Sequence, residues 1–288
     1  MKPLQFGITG PISWLTILAK EKDMFLDRDL SIRFRTFLAG KKAMQALRKG
    51  WVDIANVIDA NVASLATEKK VNVRLLACTQ TREDGRILAR ADADIYQPSD
   101  FYGERLAYMP GTSSHMFIVY FAKHHRLNIE KLNLVPVRMD RMEQALLSGD
   151  VDACSVWQPF SFQIQQAASR QNIELVNFPN EGFFRYFIML AAHEKTLQKR
   201  RQEIDTVIDV LKQAAQFAKE NRDQTNRILS QAVDMPLPIF ETLEPDVAFN
   251  ILPIADEFWR QVAIQTSWLT QKPVTNIDQL VDKLSVSH

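Results

Sequence analysis

A glycine, three hydroxyl residues and a histidine follow one another in Gly111-Thr112-Ser113-Ser114-His115, where an apolar run ends and helical periodicity begins. A helix start presents unpaired backbone N–H groups and partial positive charge, glycine lets a ligand approach the chain, and each hydroxyl adds a donor. The segment therefore has the composition of an oxyanion cradle. An ordinary N-cap accounts for only one of the three hydroxyls. His115 is either a further ligand donor or a packed helix residue. Three other loops occupy the same place between strand and helix: Thr9-Gly10-Pro11-Ile12-Ser13 before Trp14, Ile58-Asp59-Ala60-Asn61, and Val156-Trp157-Gln158-Pro159. Trp157 beside Gln158, and Trp14 beside Ser13, pair an aromatic with a polar group that either lines a site or packs beneath one. Asp59 is ambiguous in an informative way. Facing a bound anion, its carboxylate requires a ligand that also carries an ammonium or other N–H donor; capping a helix, it says nothing about the ligand. The expected ligand-binding residues are those of the four loops: Gly10, Pro11, Ser13, Trp14, Asp59, Asn61, Gly111, Thr112, Ser113, Ser114, His115, Trp157 and Gln158.

Catalytic motifs give less. His124 and His125 are adjacent, so they do not share a helix face as the i, i+4 pair of a zinc site does, and no metal site is expected. GxSxG, Walker and GxGxxG patterns are absent and glycine is scarce, at 9 residues. Cys78 and Cys154 belong to no CxxC or Cys/His cluster and read as buried thiols. No cofactor is expected. Thirty-five Lys and Arg against 34 Asp and Glu leave a net charge of +1, without the basic excess of a nucleic-acid-binding domain. No apolar run approaches the length of a transmembrane helix. The opening ten residues lack the apolar centre of an export signal, so either the protein stays inside the cell or a signal was removed upstream.

The loops need a scaffold, and 288 residues with 46% hydrophobic content supply roughly two domains of core. Strand-like runs at 4–9, 31–37, 52–58 and 71–79 alternate with helical periodicity at 14–25, 41–49 and 61–69. A second run of the same kind has strands at 104–109, 132–137, 151–156 and 173–177 and helices at 113–125, 141–147 and 159–170. Such alternation predicts parallel sheets flanked by helices. The two runs share a local pattern, Leu47-Arg-Lys-Gly-Trp-Val-Asp53 against Leu147-Ser-Gly-Asp-Val-Asp152, in which a helix ends at glycine and the chain enters a strand through Val-Asp. Beyond an apolar run at 186–192 the chain is almost wholly helical, over 195–220, 222–232 and 253–270, with prolines between.

The stretches Gly103-Glu-Arg-Leu-Ala-Tyr-Met-Pro-Gly-Thr-Ser-Ser-His-Met-Phe117 and Ala145-Leu-Leu-Ser-Gly-Asp-Val-Asp-Ala-Cys-Ser-Val-Trp-Gln-Pro-Phe160 resemble the solute-binding proteins of ABC importers for aliphatic sulfonates, taurine and nitrate. Gly-x-Val-Asp at 50–53 and Trp268-Leu-Thr-Gln-Lys-Pro extend the likeness over essentially the whole chain. The resemblance implies an α/β, type II periplasmic-binding-protein fold of two lobes, each a mainly parallel sheet flanked by helices. Lobe one would be residues 1–88 plus 185–288, lobe two the insert 89–184, and two hinge strands would lie near 87–90 and 184–186. It further implies a small anionic or zwitterionic organic solute, sulfonate- or taurine-like, captured between the lobes of a monomer and passed to ABC permease and ATPase subunits. That role places the protein outside the cytoplasm. Intracellular enzymes share the superfamily. The thiamin-pyrimidine synthases carry a cysteine-rich run that two isolated cysteines do not match, whereas no motif here separates the chorismate-processing enzymes of menaquinone synthesis. A ligand-sensing module is a third class.

Overall fold

A computed structural model describes residues 2–10, 12–37, 39–243 and 247–286. Its contacts divide the chain into two compact units, residues 1–82 with 186–288 and residues 83–185. Unit one opens with β1 (Leu4–Ile8), α1 (Trp14–Glu21), β2 (Ile32–Thr36), α2 (Gly40–Arg48), β3 (Ile54–Ile58), α3 (Asp59–Ala66) and β4 (Val73–Arg82). Unit two contains β5 (Arg86–Arg90), β6 (Arg105–Tyr108), α4 (Ser113–His124), β7 (Asn133–Pro136), α5 (Met139–Leu147), β8 (Ala153–Val156), α6 (Phe160–Arg170) and β9 (Leu175–Pro179). The chain then returns to unit one with β10 (Tyr186–His193), α7 (Glu194–Glu220), α8 (Arg222–Ala232), α9 (Leu237–Leu243), β11 (Val247–Leu252), α10 (Asp256–Thr270) and α11 (Asp278–Leu284).

Among the described residues, unit one holds a six-stranded sheet in the order β11-β4-β10-β3-β1-β2, and unit two a five-stranded sheet in the order β7-β6-β8-β5-β9. β1 pairs in parallel with β2 and β3, and β6 in parallel with β7 and β8. β10 runs antiparallel to both β3 and β4, as β5 does to both β8 and β9. Consequently β1 to β4 share one direction and β6 to β9 share one direction. Each sheet is mixed because the first strand after the chain crosses into that unit is threaded backwards between them.

The shared Gly-and-Val-Asp pattern now has a physical reason. α2 buries Ala43, Met44, Ala46 and Leu47 and stops at Gly50, whose φ of +69° suits the left-handed position after a helix; α5 buries Met142 and Leu146 and stops the same way at Gly149, φ +79°. Asp53 and Asp152 then lead into β3 and β8. Asp53 donates its N–H to the carbonyl of Gln5 at 2.8 Å, and Asp152 donates its own to Arg105 at 3.0 Å. One local device thus docks β3 onto β1 and β8 onto β6.

Unit one packs Leu47, Val57, Val62, Leu75, Met189 and Phe258 into its main core, and unit two packs Leu88, Met142, Leu146, Val156 and Ile164. Cys78 and Cys154 are free thiols buried within these two cores. Several expectations need correction. Residues 87–90, read as hinge, form most of β5, hydrogen-bonded on both sides inside unit two. The insert therefore begins at 83, not 89, and β4 extends to Arg82. α9, β11 and α11 have no counterpart in the reading; α9 and β11 are short and set among prolines at 236, 238, 245 and 253, and α11 is a seven-residue helix beyond the last long helical run. Among the described residues no helix is long and apolar enough to cross a membrane.

Candidate functional site

In open α/β sheets, ligands bind beyond the carboxyl ends of strands at the point where strand order reverses. β1 has β2 on one side and β3 on the other, and β6 likewise lies between β7 and β8, so each unit has such a switch point. The four loops singled out in the sequence follow β1, β3, β6 and β8, the strands that form these two points.

In unit two, α4 starts at Ser113 after Gly111, whose φ of +71° requires a residue free of a side chain. The three hydroxyls behave differently. Thr112 donates to the Met109 carbonyl at 2.8 Å. Ser114 accepts from the Met109 N–H at 3.2 Å and donates to the Ser155 carbonyl at 2.8 Å, and Ser155 reciprocates onto the Ser114 carbonyl at 2.9 Å. These two hydroxyls build the loop. Ser113, in the first turn and nearly buried, makes no side-chain hydrogen bond among the described residues. Its hydroxyl is a donor that the loop does not use for its own folding. His115 stacks at 4.4 Å on Tyr108, and burial pushes its imidazole down to about 4. It is therefore neutral at pH 7, and its Nδ1 accepts the Gly111 N–H at 3.4 Å. His115 shapes the glycine turn.

Trp157 is half-buried, edge-on to Phe160 with centroids 5.6 Å apart. Gln158 is buried, and its carboxamide oxygen accepts the Phe162 N–H at 3.2 Å, capping α6, while its own N–H donates to the buried Asp84 carboxylate at 3.1 Å. Ser161, one turn on, has a buried Oγ without a partner among the described residues and escaped the sequence reading.

In unit one, the Ser13 hydroxyl accepts the Thr9 N–H at 2.8 Å and so closes its own loop. Gly10 is open, with nothing within 4 Å of where a Cβ would stand, and Pro11 lies outside the described residues. Asn61 takes the Ile58 N–H at 3.3 Å, and its Oδ1 lies 2.7 Å from where a Cβ on Gly40 would be. This close approach is what the glycine at the start of α2 permits. Asp59 is fully buried and faces α10: one oxygen accepts the Ala60 N–H at 2.8 Å, and the other accepts from Gln261 and, at 3.1 Å, from Gln265. Burial raises it to about 6 against these hydrogen bonds. Its carboxylate is thus committed to the interior of unit one and carries no information on ligand charge.

The sequence reading missed the strongest feature of this edge. Arg82 ends β4 fully buried, with its guanidinium 4.3 Å from the centroid of Trp14 and 5.9 Å from that of Tyr186. Two residues back on the same face of the strand, Gln80 is buried with neither side-chain N nor O partnered among the described residues, as are Trp14 Nε1 and Thr9 Oγ1. Gln80 stands opposite Ile188, which stands opposite Ile58, so it is level with the end of β3. Native interiors leave few such atoms without a partner, and here three residues of one sheet edge carry them. The available signal was the run Thr79-Gln80-Thr81-Arg82, polar residues closing a buried strand.

The fold and the paired switch points are those of the two-lobed periplasmic-binding-protein architecture. Residues 13–225 match the family described as NMT1/THI5 like, and the chain belongs to it. An Escherichia coli (strain K12) protein bearing the name of an aliphatic sulfonates-binding protein is 23% identical over 77% of this chain and 69% of its own length. A Bacillus subtilis (strain 168) protein of the same name is 21% identical over 84% and 73%. The solved periplasmic aliphatic sulphonate binding protein SsuA from Escherichia coli superposes with a TM-score of 0.79 at 18% identity, covering 94% of this chain and 92% of that one. The desulfurization enzyme DSZB shares the fold at a TM-score of 0.70 and 15% identity, over 97% and 96%.

Proposed function

We propose that this protein is a solute-binding protein of an ABC importer. It takes a small anionic or zwitterionic organic solute of the sulfonate class at the carboxyl edges of its sheets and passes it, outside the cytoplasm, to a permease and its ATPase. The observation that carries this reading is Arg82. The buried guanidinium stacks on Trp14 beside unpartnered side-chain atoms of Gln80 and Trp14, so this edge combines positive charge with donors that a sulfonate or carboxylate oxygen accepts from. The Ser113 turn of α4 supports it with a second set of donors for an anion. The names of the curated relatives point to the same solute class.

The side-chain chemistry favours binding over catalysis. Burial pushes the Cys78 thiol up to about 11 and the Cys154 thiol up to about 12, so neither is a thiolate at neutral pH. His115 is neutral and accepts a backbone N–H. Thermal-shift and calorimetric titration with alkanesulfonates, taurine, nitrate and thiamin precursors tests the proposal. A ligand at 100 times its Kd should stabilise the fold by about 2.7 kcal/mol, and Arg82→Gln should abolish that gain. Stabilisation by none of these solutes, or equal stabilisation of wild type and Arg82→Gln, overturns it.

A further inference from the structure

We propose that His124, His125 and Glu181 form a surface site for a divalent transition metal of the zinc type, separate from the solute-binding edges. The three residues bring one ligand atom each to within 4.8 Å of one another. Tetrahedral zinc with ligands near 2.0–2.2 Å places its donors about 3.4 Å apart. His124 Nε2 and Glu181 Oε2 already stand at 3.5 Å. Only a small rotation of the His125 ring or the Glu181 carboxylate is then needed to complete three protein ligands, with water in the fourth position.

Adjacent histidines within a helix point in diverging directions, which is why their spacing does not mark them as a pair. Here they sit at the end of α4. His124 is its last residue, His125 leaves helical geometry at φ −88° and ψ 8°, and Arg126 turns left-handed at φ +57°. The third ligand comes from the loop after β9. That loop also places Phe183 flat against His124, with centroids 4.9 Å apart and planes at 24°, and edge-on to His125. Phe121 holds the other side of His125 at 4.4 Å. The rings are therefore oriented by aromatic packing before any cation arrives, which lowers the ordering cost of binding. The carboxyl end of α4 adds negative potential. Bound metal would tie the loop that carries the chain out of unit two to the end of α4.

The test uses the tag-free full chain. Calorimetry with Zn²⁺ should show one saturable site, Co²⁺ should give the visible absorption of a four-coordinate nitrogen and oxygen site, and Zn²⁺ but not Mg²⁺ should raise Tm. His124→Ala and Glu181→Gln, both at exposed positions, should each weaken Zn²⁺ binding by at least about 10-fold without changing the metal-free Tm. Absence of saturable Zn²⁺ binding, or binding that both variants leave unchanged, overturns the assignment.

Discussion

The carboxylate of Asp53 accepts the backbone N–H of Gln5 at 2.8 Å. In unit two, Asp152 accepts the backbone N–H of Arg105 at 2.7 Å. On the other flank the last residue of the antiparallel strand closes the arrangement, His193 donating to the Asp53 carbonyl and Arg90 to the Asp152 carbonyl, each at 2.9 Å. A single aspartate thus ties the starts of two parallel strands to the end of their antiparallel neighbour in each unit, and the parallel strands carry the loops of the candidate site.

Asp53→Ala should therefore cost about 1–3 kcal/mol in urea denaturation, because it leaves the Gln5 N–H and the Thr196 hydroxyl without their acceptor. Asp53→Asn retains an acceptor oxygen and should cost less. For Asp152 the Arg105 guanidinium holds the carboxyl below its ordinary range, so its stabilisation is present above about pH 3.9 and is lost as pH falls through the lower folded value. A loss for Asp53→Ala within experimental error would show that the clasp is incidental.

Asp59 has the opposite sign. Its pKa is raised from 3.8 to about 6, so between these values the folded chain holds a proton that the unfolded chain has released. Stability should fall as pH rises from about 4 to 6, by on the order of 3 kcal/mol from this group. The Gln265 Oε1, unpartnered among the described residues, is a ready acceptor for the protonated carboxyl. Asp59→Asn should flatten that part of the pH–stability curve and shift the affinities of taurine and of a simple alkanesulfonate by equal factors. Opposite shifts would place the carboxylate at the ligand after all.

The serines of α4 should separate cleanly. Ser114→Ala removes two internal hydrogen bonds and should lower stability by about 1–3 kcal/mol. Ser113→Ala should leave the unfolding midpoint unchanged and weaken solute binding by about 1–3 kcal/mol, the value of a hydrogen bond to a charged group. Calorimetry beside thermal unfolding distinguishes them, and the reverse assignment would refute the cradle described here.

Gln80 offers a trade-off between stability and function. Replacing a buried, unpartnered amide by Leu removes a desolvated polar group, so Gln80→Leu should raise Tm or leave it unchanged. The same change should weaken solute affinity if the amide serves the ligand. A destabilised Gln80→Leu that binds normally would assign the residue to folding alone.

Much of this was legible along the chain because local physics decides it. Alternating β-branched runs and amphipathic helices, glycine at the ends of α2 and α5, and hydroxyls at the start of α4 depend on neighbours within a turn or two. So the α/β class, most strands and the four loops could be read from residue types and spacing. The strand at Arg86–Arg90 could not, because a short apolar run reads equally as connection or sheet until β8 and β9 lie on either side of it.

What each loop residue does was decided only by tertiary structure. Asp59 has the right type and place for a ligand contact, but α10, some two hundred residues later, brings Gln261 and Gln265 to its carboxylate and takes it out of play. The burial of Arg82 was fixed in the same way. The polar run Thr79-Gln80-Thr81-Arg82 marks the end of its strand, but the burial of the guanidinium comes from segments such as those of Trp14 and Tyr186 that pack around it. Type and spacing determine which groups a loop can offer, whereas burial and partnership are set by segments distant in sequence, and those fix whether a carboxylate, hydroxyl or guanidinium is spent on folding or kept for a ligand.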